Sequence, residues 1–137
     1  MLSRVVVLDT PNGDLQALSH VFEEVCGPEA VVTRVRSCGA LLEALSARPA
    51  PELVVLDYEL GDGTLSGPEA LRSLSERDPD LPVVAVSSRG DVDLALRAVG
   101  DGAADFFVRD GRLHDRVTTV VTKILTTLRL LEENRVL

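Results

Sequence analysis

Five short apolar runs, separated by stretches of helical period, limit what this chain can fold into more than any other feature. They are Val5-Val6-Val7-Leu8, Val31-Val32-Thr33-Arg34-Val35, Leu53-Val54-Val55-Leu56, Val83-Val84-Ala85-Val86 and Phe106-Phe107-Val108. All but the second are continuously apolar, rich in β-branched or aromatic residues, and too short for a helix. That pattern suits strands buried on both faces of a parallel sheet. The second run is interrupted by Thr33 and Arg34 and belongs at an edge. The other four close on Asp9, Asp57, Ser87 and Arg109. A carboxylate closing an apolar strand costs desolvation unless something uses it.

Between the runs the period changes. Leu15, Leu18, Phe22 and Val25 recur at helical spacing, after a candidate cap at Asn12 and before Gly27-Pro28. Leu41, Leu42 and Leu45 mark a second helix, stopped by Arg48-Pro49. Ser66 and Glu69 form a capping-box pair that opens a third, which ends near Asp78-Pro79. A fourth spans residues 91–99 and ends at Gly100, and a fifth runs from about Arg112 to the end. Five strands alternating with five helices predict a doubly wound α/β domain. In such a sheet ligands gather outside the carboxyl ends of the strands, so Asp9, Asp57, Ser87 and Arg109 should converge on one crevice.

Composition narrows the chemistry. Against 14 basic residues stand 22 acidic ones, a net charge of −8, which argues against a phosphate-binding nucleic-acid surface. Aromatic residues make up 3%, too few for a base-stacking platform. No apolar run approaches the roughly 20 residues that cross a bilayer. Met1-Leu2-Ser3-Arg4-Val5 lacks the shape of a signal peptide. Cys26 and Cys38 fit no zinc spacing and make a poor disulfide framework. A reduced, cytoplasmic compartment is the simplest expectation, with no direct nucleic-acid or membrane binding.

The ordered motifs resemble the receiver domain of two-component response regulators over nearly the whole chain. Val5-Val6-Val7-Leu8-Asp9 looks like the first strand with its acidic end, and Glu52-Leu53-Val54-Val55-Leu56-Asp57 the third with the phosphoacceptor. Gly67-Pro68-Glu69 resembles the Gly-x-Glu that opens the third helix. Leu81-Pro82-Val83-Val84-Ala85-Val86-Ser87-Ser88 resembles the fourth strand with its hydroxyl switch. Gly102-Ala103-Ala104-Asp105-Phe106-Phe107-Val108-Arg109 is similar to the fifth. The resemblance implies a flavodoxin-like sheet in the order 2-1-3-4-5 with five helices. It implies that Asp57 accepts a phosphoryl group from a histidine kinase or phosphotransfer protein. Mg²⁺ is implied too, held by Asp9, Asp57 and the backbone carbonyl of Glu59, a hard cation with oxygen ligands. Ser87 and Arg109 are the implied phosphoryl-binding residues and Phe106 the implied aromatic switch. The implied readout face is built from the fourth helix, fifth strand and fifth helix.

Three departures from the family pattern stand out. The usual pair of acids after the first strand reads Asp9-Thr10, and a hydroxyl is a weak substitute for a carboxylate. The family's Lys-Pro reads Arg109-Asp110, which keeps the charge but changes reach and geometry. The loop after Asp57 is about two residues longer than usual, and its Glu59 and Asp62 offer oxygen ligands in place of Thr10. Two functions therefore compete: a working phosphoacceptor switch, or a degenerate receiver that acts as a phosphorylation-independent interaction module. A phosphatase- or dehalogenase-type enzyme also uses an Asp at a strand end. It needs a second Asp two residues on, where this chain has Glu59, and turnover is not expected.

Plainer roles exist for each residue. Asp9 can cap the next helix, Ser87 can be a turn residue with Ser88 as the alternative hydroxyl, and Arg109 can pair with Asp57 or Asp9 without phosphate. Phe106 can be simple core, Tyr58 reads as a partly buried loop aromatic, and His20, His114, Glu23 and Glu24 read as solvated helix positions. Cys26 and Cys38 read as core or helix-end thiols. Finally, Val117, Val121, Ile124, Leu128 and Leu131 follow a heptad seam. Residues 1–125 form the expected domain. Residues 126–137 are expected to extend the last helix, as a coiled-coil pairing two copies, as a linker to an output domain cut from a longer protein, or as an ordinary fraying end.

Overall fold

The computed structural model describes residues 4–8, 15–28, 30–47, 50–58, 67–87, 92–108 and 112–135. Strands β1 (Arg4–Leu8), β2 (Val31–Val35), β3 (Leu53–Asp57), β4 (Val83–Ser87) and β5 (Asp105–Val108) alternate with helices α1 (Leu15–Cys26), α2 (Cys38–Ser46), α3 (Gly67–Arg77), α4 (Val92–Gly100) and α5 (Leu113–Arg135). The sheet order is β2-β1-β3-β4-β5, and every neighbouring pair is parallel. This is the doubly wound α/β architecture that the alternation of runs predicted, in the flavodoxin-like order that the resemblance implied.

Side chains alternate across the strands, so the apolar runs feed two cores. On one face Val5, Val7, Val55, Val84, Val86 and Phe107 pack with Phe22 and Cys26 of α1 and with Val117, Val120, Val121 and Ile124 of α5. On the other, Val6, Leu8, Val54, Leu56 and Ala85 pack with Leu41 of α2, with Ala70, Leu71 and Leu74 of α3, and with Ala98 of α4. β3 and β4 are buried throughout, as continuous apolar runs require, whereas β2 is an exposed edge, as Thr33 and Arg34 anticipated.

The helix ends have identifiable causes. Gly27 takes a positive φ of 92° after α1, and its N–H donates to the Glu23 carbonyl at 3.1 Å. α2 starts three residues before Leu41, where Ser37 Oγ accepts from the Ala40 N–H at 3.1 Å. The apolar period missed that cap because its first turn carries no large apolar residue. The expected signals at Asn12, Arg48-Pro49, Ser66 and Asp91 fall outside the described residues. α5 is 23 residues long, about 35 Å. Its first half is core, and Val120 joins the seam expected there. Past Ile124, Leu130 is exposed, while the side chains of Leu128 and Leu131 lie outside the described residues.

Candidate functional site at the carboxyl end of the sheet

Asp57 is the last residue of β3 and pairs with Val86. Ser87, one step further, is the last residue of β4 and pairs with Val108 of β5. Neighbouring strands lie about 4.8 Å apart. The two candidate side chains therefore sit on adjacent strand ends, at the edge where an open parallel sheet binds its ligands. Asp57 is 2% exposed and Ser87 fully buried, among the few polar residues so buried in the described chain. A carboxyl group in that setting is held by its surroundings rather than by bulk water.

The residue after Asp57 is pinned on every side. The Tyr58 N–H donates to the Val86 carbonyl at 2.9 Å, continuing the ladder beyond β3. Its carbonyl lies against Gly67, the first residue of α3, where a Cβ would overlap the Tyr58 backbone. Gly67 is thus a close-approach glycine that lets α3 begin directly under the strand end. The Tyr58 hydroxyl donates to Asp101 Oδ2 at 3.1 Å. Its ring meets the edge of Phe106 with centroids 6.2 Å apart and planes at 88°. Burial, and then the Asp101 carboxylate that accepts its hydrogen bond, push the phenol up to about 12, so it stays a donor.

Tyr58 corrects the sequence expectation. It is 4% exposed and belongs to the second core rather than to a partly buried loop. Asp101 was not legible as a site residue, since its partner is 43 positions away and no local spacing links them. Phe106, on β5 opposite Ala85, is half-buried, in contact with that core and with Tyr58. Cys26 is buried, which raises its thiol pKa, with the Glu52 charge adding to the effect. His20 and Glu23 lie on an exposed helix face, 3.7 Å apart, and Glu24 is exposed beside them.

Among the expected site residues, the structure brings together Asp57, Ser87 and Phe106 on three adjacent strands. Asp9, Thr10, Glu59, Asp62, Ser88, Arg109 and Asp110 lie outside the described residues. The same holds for the side chains of Cys38 and His114. Among the described residues no group of three or more His, Cys, Asp or Glu side chains could hold a metal. Asp57 is the one implied ligand whose position is described. As a hard, buried carboxylate oxygen donor it fits Mg²⁺.

The comparisons with known proteins agree with this geometry. Residues 5–120 match the family model of the response regulator receiver domain. The nitrogen assimilation regulatory protein NtrX of Azorhizobium caulinodans is 36% identical over 97 residues, covering 71% of this chain and 21% of that protein. A crystal structure of NtrX from Brucella abortus superposes with a TM-score of 0.82 at 29% identity, over 98% of this chain and 29% of the other. The isolated receiver domain of the same Brucella abortus protein gives 0.75 at 28% identity, over 91% and 99%. The chain spans about a fifth of the length of that Azorhizobium caulinodans protein. This chain belongs to the response regulator receiver domain family.

Proposed function

We propose that this receiver domain is a phosphoacceptor switch, and the observation that carries the reading is the buried Asp57 carboxyl closing β3 beside the Ser87 hydroxyl closing β4. One Asp57 oxygen bonds to phosphorus as the P–N bond of a phosphohistidine on a histidine kinase or phosphotransfer protein breaks, leaving the electron pair on the imidazole, which takes up a proton. Ser87 donates a hydrogen bond to a phosphoryl oxygen, and Arg109 supplies the opposing charge. Asp9, Asp57 and the Glu59 carbonyl would hold Mg²⁺. The ion supplies charge neutralisation between two anions that otherwise repel. The function is signalling rather than turnover.

The readout face is α4, β5 and α5, where a change at Ser87 and Phe106 shifts the population of two arrangements. The end of α5, through Arg135, leads from the domain of residues 1–125 toward an output domain or a second copy paired along the helix. Among the described residues no helix is long and apolar enough to cross a membrane.

A second reading, a degenerate receiver that recognises partners without phosphate, rests on Thr10 in place of the second acid. One experiment separates the two. The protein is mixed with Mg²⁺ and acetyl phosphate, and its intact mass is measured beside that of Asp57→Asn. A phosphoryl adduct in the parent chain alone supports the switch. No Asp57-dependent adduct, and no spectral response to beryllofluoride, sinks it in favour of the degenerate receiver.

A further inference from the structure

α4 is weakly held by packing. Ala98 is its one fully buried residue, Leu94 is partly buried against the same core, and Val92, Leu96 and Val99 form an exposed stripe along it. Its carboxyl end is fastened differently. Asp101, the residue after Gly100, is largely covered, with its side chain 15% exposed. Its Oδ2 accepts from the Tyr58 hydroxyl at 3.1 Å, and its Oδ1 faces Arg72 Nη1 of α3 at 3.9 Å. One carboxylate therefore joins the end of β3, the middle of α3 and the end of α4. Tyr58 follows Asp57 directly, and its backbone is fixed to β4 through Val86.

We infer that Tyr58 is a positioning residue whose hydroxyl, bonded to Asp101, ties the strand end carrying Asp57 to α4, so that a change at Asp57 reaches the exposed face of that helix. The inference rests on the phosphoacceptor reading above. The physical argument is one of compliance. A helix anchored only through Ala98 and the partly buried Leu94 follows whatever holds its end, and a part-buried charge-assisted hydrogen bond is stiffer than those few apolar contacts. The coupling is reciprocal: a partner that covers Val92, Leu96 and Val99 alters the affinity of the Asp57 site by the same factor.

The test compares Tyr58→Phe, Asp101→Asn and the double variant with the parent chain. Beryllofluoride and Mg²⁺ are titrated while backbone amides are followed by NMR. In the parent chain, amides of Asp93, Ala98 and Gly102 should shift on saturation. In Tyr58→Phe and in Asp101→Asn the Asp57 region should still respond, but the α4 shifts should fall by about half or more. The double variant should match either single one, since both break the same bond. Full-sized α4 shifts in Tyr58→Phe, or additive losses in the double variant, would overturn the inference. A parent chain that takes up no beryllofluoride refutes the phosphoacceptor reading instead. The link is then judged by native-state hydrogen exchange. Tyr58→Phe should speed exchange at Ala103, and Asp101→Asn at Tyr58, each by about tenfold, the equivalent of one hydrogen bond. Unchanged exchange at both sites would refute the link itself.

Discussion

α3 and α4 cover the same face of the same sheet, yet they are attached in opposite ways. α3 buries Gly67, Ala70, Leu71 and Leu74 along one stripe and starts hard against the Tyr58 backbone. α4 buries Ala98 alone and leaves Val92 72%, Leu96 67% and Val99 57% exposed, at the i, i+4, i+7 spacing of one helix face. Both sequences look equally amphipathic. In α3 the apolar stripe is core; in α4 only Leu94 and Ala98 face the core, and Val92, Leu96 and Val99 form a second row on the surface. The difference teaches that the first helix is scaffold for the strand that ends at Asp57, and that the second leaves a row of large apolar side chains on the surface.

The contrast is most open to attack at Leu71. It is fully buried beneath β3, so Leu71→Ala should lower stability by about 2–5 kcal/mol, read from the urea midpoint. A loss below about 1 kcal/mol would mean that α3 is no better anchored than α4. Next in size is Gly67→Ala. The new Cβ meets main-chain atoms of Tyr58, which cannot rotate away, and the strain should cost about 1–3 kcal/mol. Because Tyr58 would be displaced next to Asp57, this variant should also accept phosphate from acetyl phosphate more slowly, a combined effect that Leu71→Ala should show less.

Smaller still is Gly102→Ala, at the exit of α4. Gly102 has a φ of +111°, and a Cβ there would run into the Ser75 side chain of α3. A cost of about 1–2 kcal/mol is expected, visible as a lower thermal midpoint. A neutral result would show that this exit does not lean on α3. With Asp101 bound to Tyr58 and near Arg72, Gly102 completes a picture in which the end of α4 is held by its neighbours in addition to the small core contact of Leu94 and Ala98.

How much of this was legible depends on the range of the interaction. Asp57 and Ser87 stood out because a polar residue ending an apolar strand marks the ligand edge of a parallel sheet wherever it occurs. The β2 edge was legible for the same local reason, through Thr33 and Arg34. Tyr58 was misjudged because burial after a strand end depends on what packs there, namely α3, α4 and Phe106, all distant in sequence. Ser37 was missed because capping is a backbone requirement that apolar period does not report. The exposure of the α4 stripe was illegible in principle. Period shows that a helix has an apolar face, but not whether anything covers it.

The smallest stability effect belongs to that stripe, and it is the sharpest test of the comparison. Leu96 is two-thirds exposed, so Leu96→Glu removes little buried area and should change stability by no more than about 0.5 kcal/mol. Asp93 already stands in the first turn of α4, so another acid further along adds only a modest, salt-screened repulsion. The same change places a charge in the middle of the apolar face, where any partner or second copy would have to desolvate it. A chain that is as stable as its parent, still takes up beryllofluoride, and has lost concentration-dependent association in light scattering would assign the stripe to recognition. Destabilisation by more than about 1 kcal/mol would instead return Leu96 to the core and remove the distinction between the two helices.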